Sequence, residues 1–166
     1  TQISHNLTNV IEGGSDSGAQ FSTSFPNVVF FMRDNAVYYK QFPPLETSQE
    51  IKLTNYPIAI NDFKVKANSL VFSANVYFTC TTLQCSAEQI QKQQSETYQV
   101  YDRLYMFDWD TWLPQGKGSH VFLQKVMYDN NNNDILYLND EPIDLCLGME
   151  INAPPSNTGS THYDVS

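Results

Sequence analysis

Short apolar and β-former runs separated by turn residues recur along much of the chain, the pattern of strands. Val28 to Met32 is a short apolar run, Asp34-Asn35 is a turn pair, and Ala36 to Phe42 (AVYYKQF) is rich in β-formers. Pro43-Pro44 ends that run, because proline donates no ladder hydrogen bond. Glu50 to Thr54 alternates polar and apolar residues with a period of two. Asp62 to Lys66, the turn Ala67-Asn68 and Ser69 to Phe78 predict another strand–turn–strand. Tyr101 to Trp112 and His120 to Tyr128 predict strands around a turn, and Asp129 to Asp134 (DNNNND) predicts a polar loop. Ile135 to Leu138 and Pro142 to Cys146 predict two short strands, and Thr161 to Ser166 the beginning of one more. One stretch departs from this rhythm. In Ser86 to Glu96, Ser86 stands three residues before Gln89 in a weak capping box and good helix formers follow, which predicts one short helix. The first twenty residues are polar and rich in Gly and Ser, a loose lead-in.

The strand groups resemble one another. VVFFM (28–32) corresponds to SLVFS (69–73), AVYYKQF to HVFLQKV (120–126), and the EIKLTNYP…NDF stretch to PIDLCLG…HYDV. A repeat of roughly 40 to 50 residues is the length of one four-stranded propeller blade. The expected fold is therefore all-β: a partial β-propeller of about two four-stranded blades and the start of a third, with one short helix in an insertion. The boundaries expected are a lead-in at 1–20, a first blade at 21–57, a second at 58–148 with an insertion at 77–112, and a connector into the next blade at 149–166. About two blades cannot close a ring, so the chain reads as part of a longer array. An ordinary β-sandwich with one helix is the competing architecture.

Charge narrows the function classes. Nine Lys and Arg against 18 Asp and Glu leave a net charge of -9, which repels phosphate backbones and argues against nucleic-acid binding. No run approaches the roughly 18 apolar residues of a spanning helix, and the opening TQISHNL shows no secretory leader. Charged residues are only 16% of the chain, and Gln and Asn carry much of the polar surface. Cys80 and Cys85 are close enough to close a small loop in an oxidising compartment, or all three cysteines are unrelated, with Cys146 a buried apolar residue. Asn6-Leu7-Thr8 is a glycosylation acceptor if the chain is secreted.

The search for catalytic chemistry is mostly negative. In GGSDSG (13–18) Asp16 stands where a nucleophile elbow requires Ser. His5, His120 and His162 have no evident Ser or Cys partner, and His120 is expected at a strand edge. DNNNND begins like a calcium loop, but Asp134 and Asp140 occupy the places of its Gly and Glu, so a solvated Asn run is the better reading. No metal or cofactor is implied. In FDWDTW, Asp108, Asp110 and Trp112 could meet a cationic group such as a peptide amino terminus. Alternation also allows a packing role, with Trp109 buried and both carboxylates facing water or a neighbouring blade.

Taken together, Leu53 to Pro57 (LTNYP), Val76-Tyr77, Cys80 to Glu88 (CTTLQCSAE), Tyr101 to Tyr105, Trp109 to Trp112 (WDTW) and Ser119 to Phe122 (SHVF) resemble, in order, the propeller region of the prolyl oligopeptidase family. The closest branch is the dipeptidyl-peptidase V and acylaminoacyl-peptidase-like group. The chain departs from it at Phe107-Asp108, where the branch has Arg-His, and at Val65 to Asn68, where it has a Ser-Pro-Asp-Gly turn. The resemblance implies an N-terminal propeller that gates peptide entry to a C-terminal α/β-hydrolase domain carrying the Ser, Asp and His of a serine exopeptidase. It implies a Cys80–Cys85 disulfide, peptide substrates, and a secreted or lysosomal and vesicular setting. A non-enzymatic β-propeller or β-sandwich interaction module is the alternative function.

Overall fold

The structure, a computed structural model, describes residues 16–42, 49–94, 116–129, 132–153 and 163–164. In chain order it contains β1 (Ser17–Ser22), β2 (Phe25–Arg33), β3 (Ala36–Gln41), β4 (Ile51–Lys52), β5 (Ile60–Lys66), β6 (Ser69–Tyr77), α1 (Leu83–Gln94), β7 (Lys117–Asp129) and β8 (Asn132–Asp144). Strands β1 to β4 form one antiparallel sheet and β5 to β8 a second, each with its strands adjacent in chain order. The described residues are thus mostly β, with one helix, and among them neither sheet closes on itself.

Short turns make these meanders possible. Asp34 and Asn35, at φ 49° and 56°, close β2 onto β3 with Arg33 opposite Ala36. These residue types tolerate the left-handed region better than most, as a tight hairpin requires. Ala67, at φ 50°, closes β5 onto β6 with Lys66 opposite Ser69.

The two sheets share one core. Phe25, Phe30, Val37 and Tyr39 from the first sheet meet Ile60, Phe63, Leu70, Phe72, Phe122 and Val126 from the second. Phe72 stacks on Phe122, with ring centres 5.2 Å apart. The run Val28 to Phe31 does not alternate because all four residues are buried, which places apolar side chains on both faces of β2. On the face away from the second sheet, Phe31 stacks on Tyr38 and the Arg33 guanidinium lies 5.2 Å from the Phe31 ring centre. Arg33 grips Asp16 at 2.6 and 2.7 Å and Glu50 at 2.7 Å, which holds its guanidinium charged.

Polar side chains also join the sheets. The Gln20 amide donates to the Phe63 carbonyl at 2.8 Å and accepts from the Val65 N–H at 3.0 Å, so it pairs with the edge of β5 much as a strand residue would. The Tyr39 hydroxyl accepts from the Leu136 N–H at 2.9 Å.

Several expectations are corrected. The strand β1 begins at Ser17, inside the segment expected to be loose. The helix begins at Leu83, not at Ser86, because Thr82 caps it: its hydroxyl accepts from the Cys85 N–H at 3.2 Å. Ser86, fully buried, accepts instead from the Tyr77 N–H and ties the helix to β6. The two short strands expected at 135–146 are one long strand, β8, interrupted by a bulge where Asp140 has φ 57°. The Gln124 side chain fills that bulge, donating to the Asp140 carbonyl. The loop expected at 129–134 is shorter, since Asp129 ends β7 and β8 starts at Asn132. The strand expected at Tyr101 to Trp112 lies outside the described residues. Of the one expected at 161–166, only Tyr163 and Asp164 are described, and neither is in a strand.

Candidate functional site

The chemistry-bearing residues gather where α1 meets the second sheet. The chain leaves β6 through a turn in which the Cys80 N–H donates to the Tyr77 carbonyl at 2.9 Å. Cys80 and Cys85 then form a disulfide across the start of the helix, with Cα atoms 5.6 Å apart. The pairing that the family resemblance implied is therefore present. Cys146 is a buried free thiol.

His120 is not at a sheet edge. It lies in β7, between β6 and β8, and is 2% exposed. Nδ1 is 2.8 Å from the Asp144 carboxylate, Nε2 is 3.1 Å from the Met149 carbonyl oxygen, and the Phe78 ring stacks on the imidazole. Both ring nitrogens face oxygen atoms, so neither is open to take a proton from a nucleophile. Asp144 also accepts from the Cys146 N–H at 2.8 Å. Together these bonds fasten the segment after β8 back over β7, assisted by Leu145 N–H to the Val121 carbonyl and Ala153 N–H to the Ser119 carbonyl. Gly118 permits this close passage: a Cβ there would sit 2.6 Å from the Ile151 carbonyl and 2.7 Å from the Phe78 ring. His120 thus holds the segment after β8 in place.

Two clefts flank the helix. One, of about 500 Å³, lies between Tyr56, Thr82 and Leu83 on one side and Phe122, Glu141 and Asp144 on the other. Burial pushes the Tyr56 phenol well above its ordinary value, and the nearby Glu141 charge adds to the shift. The Tyr56 hydroxyl donates to the Gln124 side-chain oxygen. The other cleft, of about 540 Å³, lies between α1 and the ends of β5, β6 and β7, with Ile58, Asn61, Asn75, Glu88, Ile90 and Lys117 in its walls. Sequence reasoning missed this second cleft. Lys117 sits in a stretch that reads only as a turn, and Glu88 in one that reads only as a short helix.

Asn6, Asp108, Asp110 and Trp112 lie outside the described residues. No group of three His, Cys, Asp or Glu side chains able to hold a metal ion occurs among the described residues, and no described helix is long and apolar enough to cross a membrane.

The outer side of the second sheet is unusual for its exposed apolar groups. Phe122 and Val126 face the core, so Leu123 and Met127 face away from it, as do Ile143 and Tyr137, which pair with them. Ile143 is 61% exposed, and Leu145, Leu147 and Met149, in the segment fastened by His120, are each about half exposed. Compared with known proteins, the chain matches no protein-family model, no curated protein and no solved structure.

Proposed function

We propose that the two sheets are successive blades of a β-propeller belonging to a serine exopeptidase of the prolyl oligopeptidase type, in its dipeptidyl-peptidase V and acylaminoacyl-peptidase-like branch. The blades gate the entry of peptides to a hydrolase domain encoded outside these 166 residues, which releases dipeptides or blocked residues from peptide amino termini. The observation that carries this reading is the agreement between the sequence repeat and the two sheets. VVFFM and SLVFS fall on the second strand of each sheet, AVYYKQF and HVFLQKV on the third, and EIKLT and PIDLC on the fourth. The apolar outer side of the second sheet supports it further, since a third blade would bury Met127, Tyr137 and Ile143. Tyr163 supports the position of that blade. Its hydroxyl donates to Asp62 and its carbonyl accepts from Lys64, side chains that alternate with the core-facing Phe63 and Val65, which sets it on the outer face of β5. The Cys80–Cys85 disulfide suits a secreted or vesicular compartment.

The test is made on the protein isolated from its source. An intact mass several-fold above that of these 166 residues, together with labelling by a fluorophosphonate probe, is expected. A mass near that of the 166 residues and no labelling would leave an interaction module instead.

A further inference from the structure

The cleft between α1 and the second sheet holds two opposite charges that do not neutralise each other. Lys117 and Glu88 both line it, yet they form no ion pair with each other or with any other described residue. Lys117 begins β7 opposite Tyr77, and its ammonium lies 6.0 Å from the Tyr77 ring centre. Burial lowers its pKa, which means that the charged form lacks compensation where it sits. Glu88, on the exposed side of α1, takes a bond from Gln84 at 3.0 Å on one oxygen. The side-chain amides of Asn61 and Asn75 also line the cleft without a hydrogen bond to any described residue. Pro57, Ile58 and Ile90 supply an apolar wall. The volume, about 540 Å³, is within the usual range for small-molecule sites.

We infer that this cleft binds a small zwitterion of the amino-acid or dipeptide class, its carboxylate on Lys117, its ammonium on Glu88 and its side chain against Ile58 and Ile90. A purely anionic ligand would meet Glu88, and a purely cationic one would meet Lys117, so only a ligand carrying both charges suits both walls. The free amides of Asn61 and Asn75 match the backbone groups of such a ligand, since each can both donate and accept. The inference does not depend on the peptidase reading, because it rests only on described residues of this chain.

Three probes test it by amide chemical-shift titration of the protein in its isolated, intact form: glycyl-leucine, its carboxamide and its N-acetyl form. Glycyl-leucine is expected to shift the amides of Asn75, Ala87 and Lys117 saturably. Each blocked form should bind about tenfold or more weakly, as loss of a charge-assisted bond implies. Lys117→Met should abolish the preference for the free carboxylate while keeping the preference for the free amine, and Glu88→Gln should do the reverse. Glu88 is exposed, so its substitution leaves the fold intact and carries the test alone if Lys117→Met does not fold. Equal affinity for the three probes, no saturable shift up to about 20 mM, or binding that is indifferent to Glu88→Gln would overturn the inference.

Discussion

Ala67 holds a left-handed backbone conformation, φ 50°, that an L-residue with a Cβ adopts at a cost of roughly 1 kcal/mol. The turn keeps it there because Lys66 pairs with Ser69 and the Ala67 carbonyl accepts from Ser22. Ala67→Gly relieves the strain and is expected to raise stability by about 0.5–1 kcal/mol, read as a higher urea midpoint with an unchanged slope. A lower midpoint would show that the turn is not strained. Tyr39 sets a pH limit. Burial raises its phenol pKa in the folded state, so the unfolded chain ionises first, near pH 10. Its contribution is complete below that pH and is lost as pH rises above it. Denaturant titrations should therefore find Tyr39→Phe less stable near neutrality by about 1–2 kcal/mol, since the Leu136 N–H loses its acceptor, but less sensitive to pH above 10. A parallel pH dependence in both proteins would refute this role. At this scale the sequence was legible where a residue's own backbone preference decides, as at Asp34-Asn35. It was not legible for His120, whose setting depends on Asp144, 24 positions away, and on a carbonyl five residues further on.

Among the elements, most strands of the two sheets were readable because short apolar or β-former runs bounded by turn residues point to strands, as at Val28 to Met32 before Asp34-Asn35. The strand β1 was not. Its residues SGAQFS carry little apolar signal, and four of the six are exposed. Pairing with β2 and the Gln20 amide define it instead. Gln20→Leu keeps the volume but leaves the Phe63 carbonyl and the Val65 N–H without their partner. It is expected to cost about 2 kcal/mol, and hydrogen exchange at the Val65 amide should accelerate more than at its β6-paired neighbours. Unchanged Val65 exchange would mean that the β1–β5 junction has another origin. The start of α1 was misread for a related reason. Propensity favoured Ser86, but the Thr82 cap and the Cys80–Cys85 bond act one turn earlier; the spacing left that disulfide as one of two readings, and the family resemblance favoured it.

For the whole molecule, the repeat in the sequence anticipated two like sheets, while their shared core and the open outer side of the second sheet follow from packing that no local pattern encodes. Exposed apolar groups such as Met127, Tyr137 and Ile143 on the outer face of the second sheet mark a surface that meets something. Introducing carboxylates there distinguishes a covered face from an open one. In the 166-residue chain, Ile143→Glu with Met127→Glu should change stability by no more than about 0.5 kcal/mol per site, because both side chains are exposed. The pair should also suppress binding of an apolar dye and any self-association seen by sedimentation. In a longer protein whose third blade packs on this side, the same two carboxylates would be buried without partners and should destabilise by several kcal/mol, or about 3 to 5. Equal, small effects in both settings would mean that no blade covers this side, and the propeller reading would fail with it.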